Sequence, residues 1–185
     1  MEDHELIHQV LEGDQSAIEK LHGRYVDRIF NYIFMQTSNY HDSEELLQDV
    51  FYKTASGLHT FRGRSSFETW IFRITRNVII DYYRKNKKRN NSISMNQTIL
   101  DSMTGSEESA ENAVLRELDV DEVMFTLEKL PDHYRMVLQL RFIESFSIKE
   151  TANIMGKTTL SVKALQHRAR KALLEQIQPG VMNYE

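Results

Sequence analysis

The chain has 185 residues, 41% of them hydrophobic and 27% charged, with no cysteine and a formal net charge of −4. This is material for one large domain or two small ones; it excludes disulfides and thiolate zinc sites, fits a cytoplasmic protein, and contains neither a transmembrane run nor a signal peptide. Seven glycines, two prolines and no sustained alternation of β-branched residues make the expected class all-α.

Taken in order, Leu6, Ile7, Val10 and Leu11 lie at helical spacing in a short amphipathic helix closed by Gly13-Asp14. A longer helix follows, with Ile18, Leu21, Tyr25, Tyr32 and Ile33 on its inward side. Asp42 to Glu45 forms an acidic cap on a third helix, which turns Leu46, Leu47, Val50 and Phe51 inward and shows Glu44, Glu45, Gln48 and Asp49 on its other side. Acids in a first turn complement the helix dipole; the same acids, exposed, can equally form a docking face for a basic partner. Positions 1–56 hold 11 acidic and 4 basic residues, and positions 62–90 reverse the balance with 9 basic and 2 acidic.

Phe61-Arg62-Gly63-Arg64 reads as a loop, and Ser65 with Glu68 as a capping box opening a long helix through Trp70, Ile71, Ile74, Val78 and Tyr82. That helix runs into Arg84-Lys85-Asn86-Lys87-Lys88-Arg89. The run can be a solvated end suited to a helix C-terminus. Arg73, Arg76, Arg84 and Lys87 nevertheless recur at helical spacings, so one side can follow a phosphate backbone. Phe61, Phe67, Trp70, Phe72, Tyr82 and Tyr83 interleave with these cations, a mixture suited to single strands because bases stack while cations hold phosphates. Trp70 taken alone is more often a core residue than a ligand contact.

Positions 90–112 turn polar and lose apolar periodicity, which predicts a flexible linker. Positions 101–132 hold 10 acidic and 2 basic residues. A helix resumes near Ala113 with Val120, Met124 and Leu127 inward, and Pro131 marks the start of the next, where Met136, Val137, Leu140 and Ile143 share a side. Ser147 and Glu150 form a capping box, Gly156 closes the helix that follows, and Thr158 or Thr159 caps another. Small Ala152 sits where two crossing helices touch, and Val162 packs the second helix on the first. This is the layout of a helix-turn-helix. Val162, Leu165, Ala169 and Leu173 make the second helix's apolar side, while Lys163, His167, Arg168, Arg170 and Lys171 crowd the rest. A solvated amphipathic helix is the plain reading; a recognition helix entering the DNA major groove accounts for the upstream cap, glycine and alanine as well. Positions 147–175 hold 6 basic and 2 acidic residues, so two basic blocks lie between acidic ones.

As a set, these residues resemble a known family. Asp42-Ser-Glu-Glu-Leu-Leu-Gln-Asp-Val-Phe51, then Phe61-Arg-Gly-Arg-Ser-Ser-Phe-Glu-Thr-Trp-Ile-Phe-Arg-Ile-Thr-Arg-Asn77 and Asp81-Tyr-Tyr-Arg-Lys85 are similar to region 2 of bacterial sigma factors. Leu130-Pro-Asp-His-Tyr-Arg135 and the helix-turn-helix ending His167-Arg-Ala-Arg-Lys171 are similar to region 4. Having only these two regions, the chain resembles the extracytoplasmic function (ECF, group IV) subfamily of the sigma-70 family from about Ala17 to Ile177. The resemblance implies two small helical domains, with region 2 in 1–89, a flexible linker in 90–112, region 4 in 113–178 and a tail in 179–185. It implies a transcription initiation factor, with no catalytic residue, cofactor, metal or small-molecule substrate of its own.

The implied partners are core RNA polymerase (the β′ clamp helices and the β subunit), promoter DNA and an anti-sigma factor, in the service of a dedicated regulon of the stress-response kind. By the same resemblance Asp42, Glu44, Glu45, Gln48 and Asp49 contact the polymerase. Arg62, Arg64, Ser65, Trp70, Arg73, Arg76, Asn77, Arg84 and Lys85 handle the −10 element, from which a flipped base is held at a cost of a few kcal/mol of unstacking. Thr159, Ser161, Lys163, Ala164, His167, Arg168, Arg170 and Lys171 fall to the −35 element, with Lys163, Ala164, His167 and Arg168 nearest base edges and Ser161, Arg170 and Lys171 nearer phosphates. The chain departs from the family where Arg64 replaces an acid or small polar residue, where Leu160-Ser161-Val162 replaces Gly-Thr-Val, and where Leu165 takes an often basic position, which favours packing there. Three rivals stand beside this reading: a promoter-binding regulator that leaves the 61–89 block without a task, an anti-sigma-binding decoy, and an enzyme. For the last, the seven histidines are scattered, and no HExxH, P-loop, dinucleotide loop or nucleophile elbow is present.

Overall fold

The computed structural model describes residues 2–89 and 120–177, with side chains described for all of these but 87–89 and 120–122. The expected linker, the helix start near Ala113 and the tail at 179–185 lie outside the described residues. Every described element is helical: α1 (Asp3–Leu11), α2 (Gln15–Thr37), α3 (Tyr40–Gly57), a 3₁₀ turn (Leu58–Thr60), α4 (Phe67–Arg89), α5 (Val120–Lys129), α6 (Asp132–Leu138), a π turn (Gln139–Ile143), α7 (Ile148–Met155) and α8 (Thr159–Ile177).

Side chains mark most of the boundaries. Asp14 Oδ1 caps α2 by accepting from the N–H groups of Ser16 and Ala17 at 2.8 and 3.2 Å. α3 begins at Tyr40, ahead of the expected acidic cap, because Asn39 accepts the N–H of Asp42 at 3.0 Å. The box expected at Ser65 is displaced by one residue. Ser66 Oγ accepts the Thr69 N–H at 3.1 Å, so Thr69 occupies the third helical position and Glu68 is freed to bind Arg28. Ile18 is 41% exposed, contrary to the inward position expected of it, since Ala17 and Leu21 fill the inner side of that turn, and Leu11, at the end of α1 beyond buried Leu6 and Ile7, is 55% exposed. Ile143 is also displaced outward. The Glu144 N–H reaches back five residues to Gln139 O at 2.9 Å, and this wider turn rotates the apolar stripe away from Ile143.

The first four helices bury Leu6, Tyr25, Ile29, Tyr32, Ile33, Val50, Phe67, Ile71, Phe72 and Ile79. The last four, with the π turn, bury Leu127, Val137, Leu140, Ile154, Val162, Leu165, Ala169 and Leu173. The two groups share one continuous core, since α4 packs on α7 and α2 on α6. Phe72 meets Phe146 edge-on with ring centroids 4.9 Å apart. Beside them the Arg28 guanidinium binds Glu68 within its own group and Glu144, at 3.0 Å, in the other. Burial holds the Glu144 carboxyl above its ordinary value; Arg28 pulls it back, but that cation is shared with Glu68, whose charge pushes Glu144 up again.

Two buried polar bridges complete the joint. Gln36 Nε2 donates to Gln139 Oε1 at 2.7 Å, and both side chains are almost fully enclosed. Arg135 donates to the carbonyls of Gln36 (2.8 Å) and Met35 (3.4 Å) at the end of α2, and to those of Glu128 (3.1 Å) and Leu130 (3.2 Å) at the end of α5. One guanidinium thus caps two helices from different halves of the chain. Changing Gln36 to Leu should cost ~1–3 kcal/mol in urea unfolding, because the Gln139 amide is left buried with an oxygen unpaired. Changing Gln139 to Leu as well should restore most of that loss. A double variant as unstable as the sum of the singles would show that the two amides do not act as a pair.

Candidate nucleic-acid interface

The helix-turn-helix forms as its local chemistry requires. Ser147 Oγ accepts the Glu150 N–H at 3.2 Å, and Glu150 Oε2 accepts the Ser147 N–H at 2.9 Å. The side-chain and backbone hydrogen bonds with Ser147 hold the Glu150 carboxyl below its ordinary value. Gly156 closes α7 at φ +63°, a left-handed conformation open to glycine, and the chain turns at once into α8. Thr158, one of the two expected caps, accepts the Ser161 N–H at 3.1 Å. Val162 at 0% and Ala152 at 5% exposure fill the crossing between the helices.

With Val162, Leu165, Ala169 and Leu173 inward, the exposed side of α8 carries Thr159, Lys163, Ala164, His167, Arg168 and Lys171, with Ser161 half-exposed. Leu165 packs, as its chemistry favours. Arg168 Nε lies 3.3 Å from the Ala164 carbonyl one turn back, and the Lys171 ammonium 4.0 Å from Glu175. Arg170 is the exception among the expected contacts: it is 2% exposed, with its guanidinium 5.8 Å from the Phe142 ring centroid. It stands one turn after Gln166, also buried, on the side of α8 that meets the π turn, where Arg141 Nε donates to Gln166 Oε1 at 2.8 Å. Leu160 joins the outward surface instead, at 54% exposure.

On the other half, Arg62, Arg64, Arg73, Asn77, Arg84 and Lys85 are exposed and Ser65 is half-exposed along the loop and α4. Arg84 pairs loosely with Asp81 at 3.4 Å. Arg76 turns partly inward: burial, and Arg73 beside it, hold its guanidinium below the ordinary value against the pull of Tyr32. The expected aromatic platform is mostly absorbed by packing. Phe67 and Phe72 are buried at 3% and 0%, Tyr82 OH donates to Asp42 Oδ2 at 2.6 Å, and Tyr83 OH donates to Gln36 O. Burial and the Asp42 hydrogen bond push the Tyr82 phenol up to about 12. Phe61 and Trp70, ring centroids 5.4 Å apart, remain half-exposed beside the loop. Arg64, Ser65, Ser66 and Thr69 face Ser147, Lys149, Glu150 and Asn153 across a cleft of about 360 Å³, so the loop and the first helix of the helix-turn-helix share one mouth.

On α3, Glu44, Glu45, Gln48 and Asp49 are exposed in a stripe, with His41 3.4 Å from Glu45. Asp42, tied to Tyr82, is only half-exposed. Tyr52, 75% exposed, extends the stripe by one turn. Sequence reading missed it, although its three- and four-residue spacing from Asp49 and Gln48 was the signal to follow.

The Sigma-70 region 2 family model matches residues 21–89, and the Sigma-70, region 4 model matches residues 121–173. The RNA polymerase sigma factor YlaC of Bacillus subtilis is 32% identical over 160 residues, which cover 86% of this chain and 91% of YlaC. The ECF RNA polymerase sigma factor SigX of the same organism is 31% identical over 167 residues, 86% of this chain and 82% of SigX. The chain is an ECF sigma factor of the sigma-70 family. The fold agrees: the sigma factor RpoE of Bartonella quintana, solved with the anti-sigma factor NepR, superposes with a TM-score of 0.66 at 20% identity, covering 89% of this chain and 98% of RpoE. As a sigma factor, it is a transcription initiation factor that acts with core RNA polymerase and promoter DNA. The capped helix-turn-helix lies within its region 4, and the arginine-bearing loop with α4 lies within its region 2.

Proposed function

We propose that this sigma factor divides its work among three faces, with region 2 in 1–89, region 4 in 113–178, a linker in 90–112 and a tail in 179–185. The acidic stripe of α3 (Glu44, Glu45, Gln48 and Asp49, with Asp42 at its edge) docks on the polymerase. The loop and α4 hold the opened −10 strand through Arg62, Arg64, Ser65, Arg73, Asn77, Arg84 and Lys85, with Arg76 and Trp70 behind them. The outer side of α8 reads the −35 duplex through Lys163, Ala164, His167 and Arg168, and Thr159, Ser161 and Lys171 hold phosphates.

The observation that carries this reading is the two-sided α8. Lys163, Arg168 and Lys171 stand opposite a fully used packing stripe and are exposed to meet a polyanion. Nucleotide addition belongs to the polymerase, and this chain supplies recognition and strand capture from a cytoplasmic location. An anti-sigma factor restrains it, a reading supported by the complex in which the related fold of RpoE was solved.

The test is run-off transcription with purified core polymerase on a genomic promoter library. Start sites that depend on this protein and share two spaced motifs are the expected result. Glu45→Lys with Asp49→Lys should weaken core binding while leaving the helical spectrum unchanged, since both side chains are exposed and neither packs in the core. Undiminished core binding by that variant would return the two acids to a dipole-complementing role.

A further inference from the structure

Leu160 stands in the first turn of α8, 54% exposed, where nothing of the protein's own core reaches it. A helix advances about 100° per residue, so Leu160 lies about 200° from Val162 and cannot join the stripe that packs α8 onto α7. Lys163, Ala164, His167 and Arg168, all exposed, fall within about 80° of it on the same side. A single exposed leucine on a protein surface is ordinary. This one is set apart by its place at the N-terminal end of a recognition helix, the part that approaches base edges, with cations over the next turns and the one acid of that side, Glu175, about four turns away.

In the major groove the only methyl group on any base edge is the thymine C5-methyl, and apolar side chains recognise it by contact. We propose that Leu160 is a specificity-determining residue that reads the C5-methyl of a thymine in the −35 element. The inference rests on the assignment of α8 to that element. Leu160 reaches the methyl while Lys163 and Arg168 engage the neighbouring polar edges or phosphates. The contact selects thymine over cytosine, which presents an amino donor and no methyl there.

The probe is a duplex selected by the reconstituted holoenzyme from a library randomised across the upstream element, with each thymine replaced singly by deoxyuridine. That exchange removes one methyl and leaves pairing intact. The wild-type holoenzyme should lose about fourfold in affinity at one such thymine, the equivalent of ~0.8 kcal/mol for one buried methyl-sized group. Leu160→Ala should bind the thymine and deoxyuridine duplexes equally. The substitution is at an exposed helical position that alanine suits, so the fold is kept. A selected element without thymine at that end overturns the proposal, as does a uracil penalty that persists in Leu160→Ala. A penalty that vanishes only in Ala164→Gly overturns it too and assigns the contact to Ala164. Arg168→Ala serves as the separate control. If it leaves both affinity and discrimination across the element untouched, the assignment of α8 fails; if Arg168→Ala weakens binding to the element and Leu160→Ala keeps the deoxyuridine penalty, only the methyl contact fails.

Discussion

Arg135→Ala is expected to lower the unfolding free energy by ~3–5 kcal/mol, because four helix-end carbonyls lose a charged donor inside the protein and a large side chain leaves a void. Arg135 is 8% exposed and reaches Met35 and Gln36 on one side and Glu128 and Leu130 on the other. Removing the guanidinium should therefore also loosen the joint between the two helical groups, read as a larger radius of gyration in small-angle scattering. Arg135→Lys keeps the charge but cannot span both helix ends with one planar fork, and should recover only part of the loss. Urea midpoints for both variants indistinguishable from the parent would show that the bridge contributes no net stability.

Arg168→Ala carries the largest expected effect on recognition. If the guanidinium donates bidentately to a base edge, its loss should cost ~1–3 kcal/mol of discrimination at one base pair, about 5- to 150-fold in relative affinity. The side chain is exposed and its one intramolecular hydrogen bond, 3.3 Å to a carbonyl in its own helix, is easily exchanged, so stability should hardly change. Binding measured on the selected element and on single-base variants decides the matter. A uniform loss on every sequence, with a salt dependence shallower by about one counterion, would instead place Arg168 on a phosphate.

Much of the candidate site was legible because its signals are local. The box between Ser147 and Glu150, the left-handed Gly156, the Thr158 cap and the two faces of α8 all lie within a turn or two of the residues they govern. Where local signals compete, reading was less exact: Ser65 and Ser66 both offer a cap, and which hydroxyl meets the Thr69 N–H depends on how Phe67 enters the core. The interleaved aromatics of α4 illustrate a further limit. Phe67 and Phe72 look alike to Phe61 and Trp70 in composition, yet the first pair is interior because Tyr25 and Tyr32 of α2 and the Phe146 turn close over it.

The helices, the caps around the helix-turn-helix and the outward cations of α8 were legible in the chain alone, since 3.6-residue periodicity and capping are written in neighbouring residues, whereas the caps of α3 and α4 fell to Asn39 and Ser66. Packing between the halves alone sets that Gln36 meets Gln139, that Arg28 bridges to Glu144 and that Arg135 caps a helix from the opposite half, and packing against the π turn buries Arg170. These partners lie far apart in the chain, 103 residues for the glutamines, 116 for Arg28 and Glu144 and 99 for Arg135 and Gln36. No local period encodes such a meeting; it follows from which helix faces have apolar area left to bury once each half has folded.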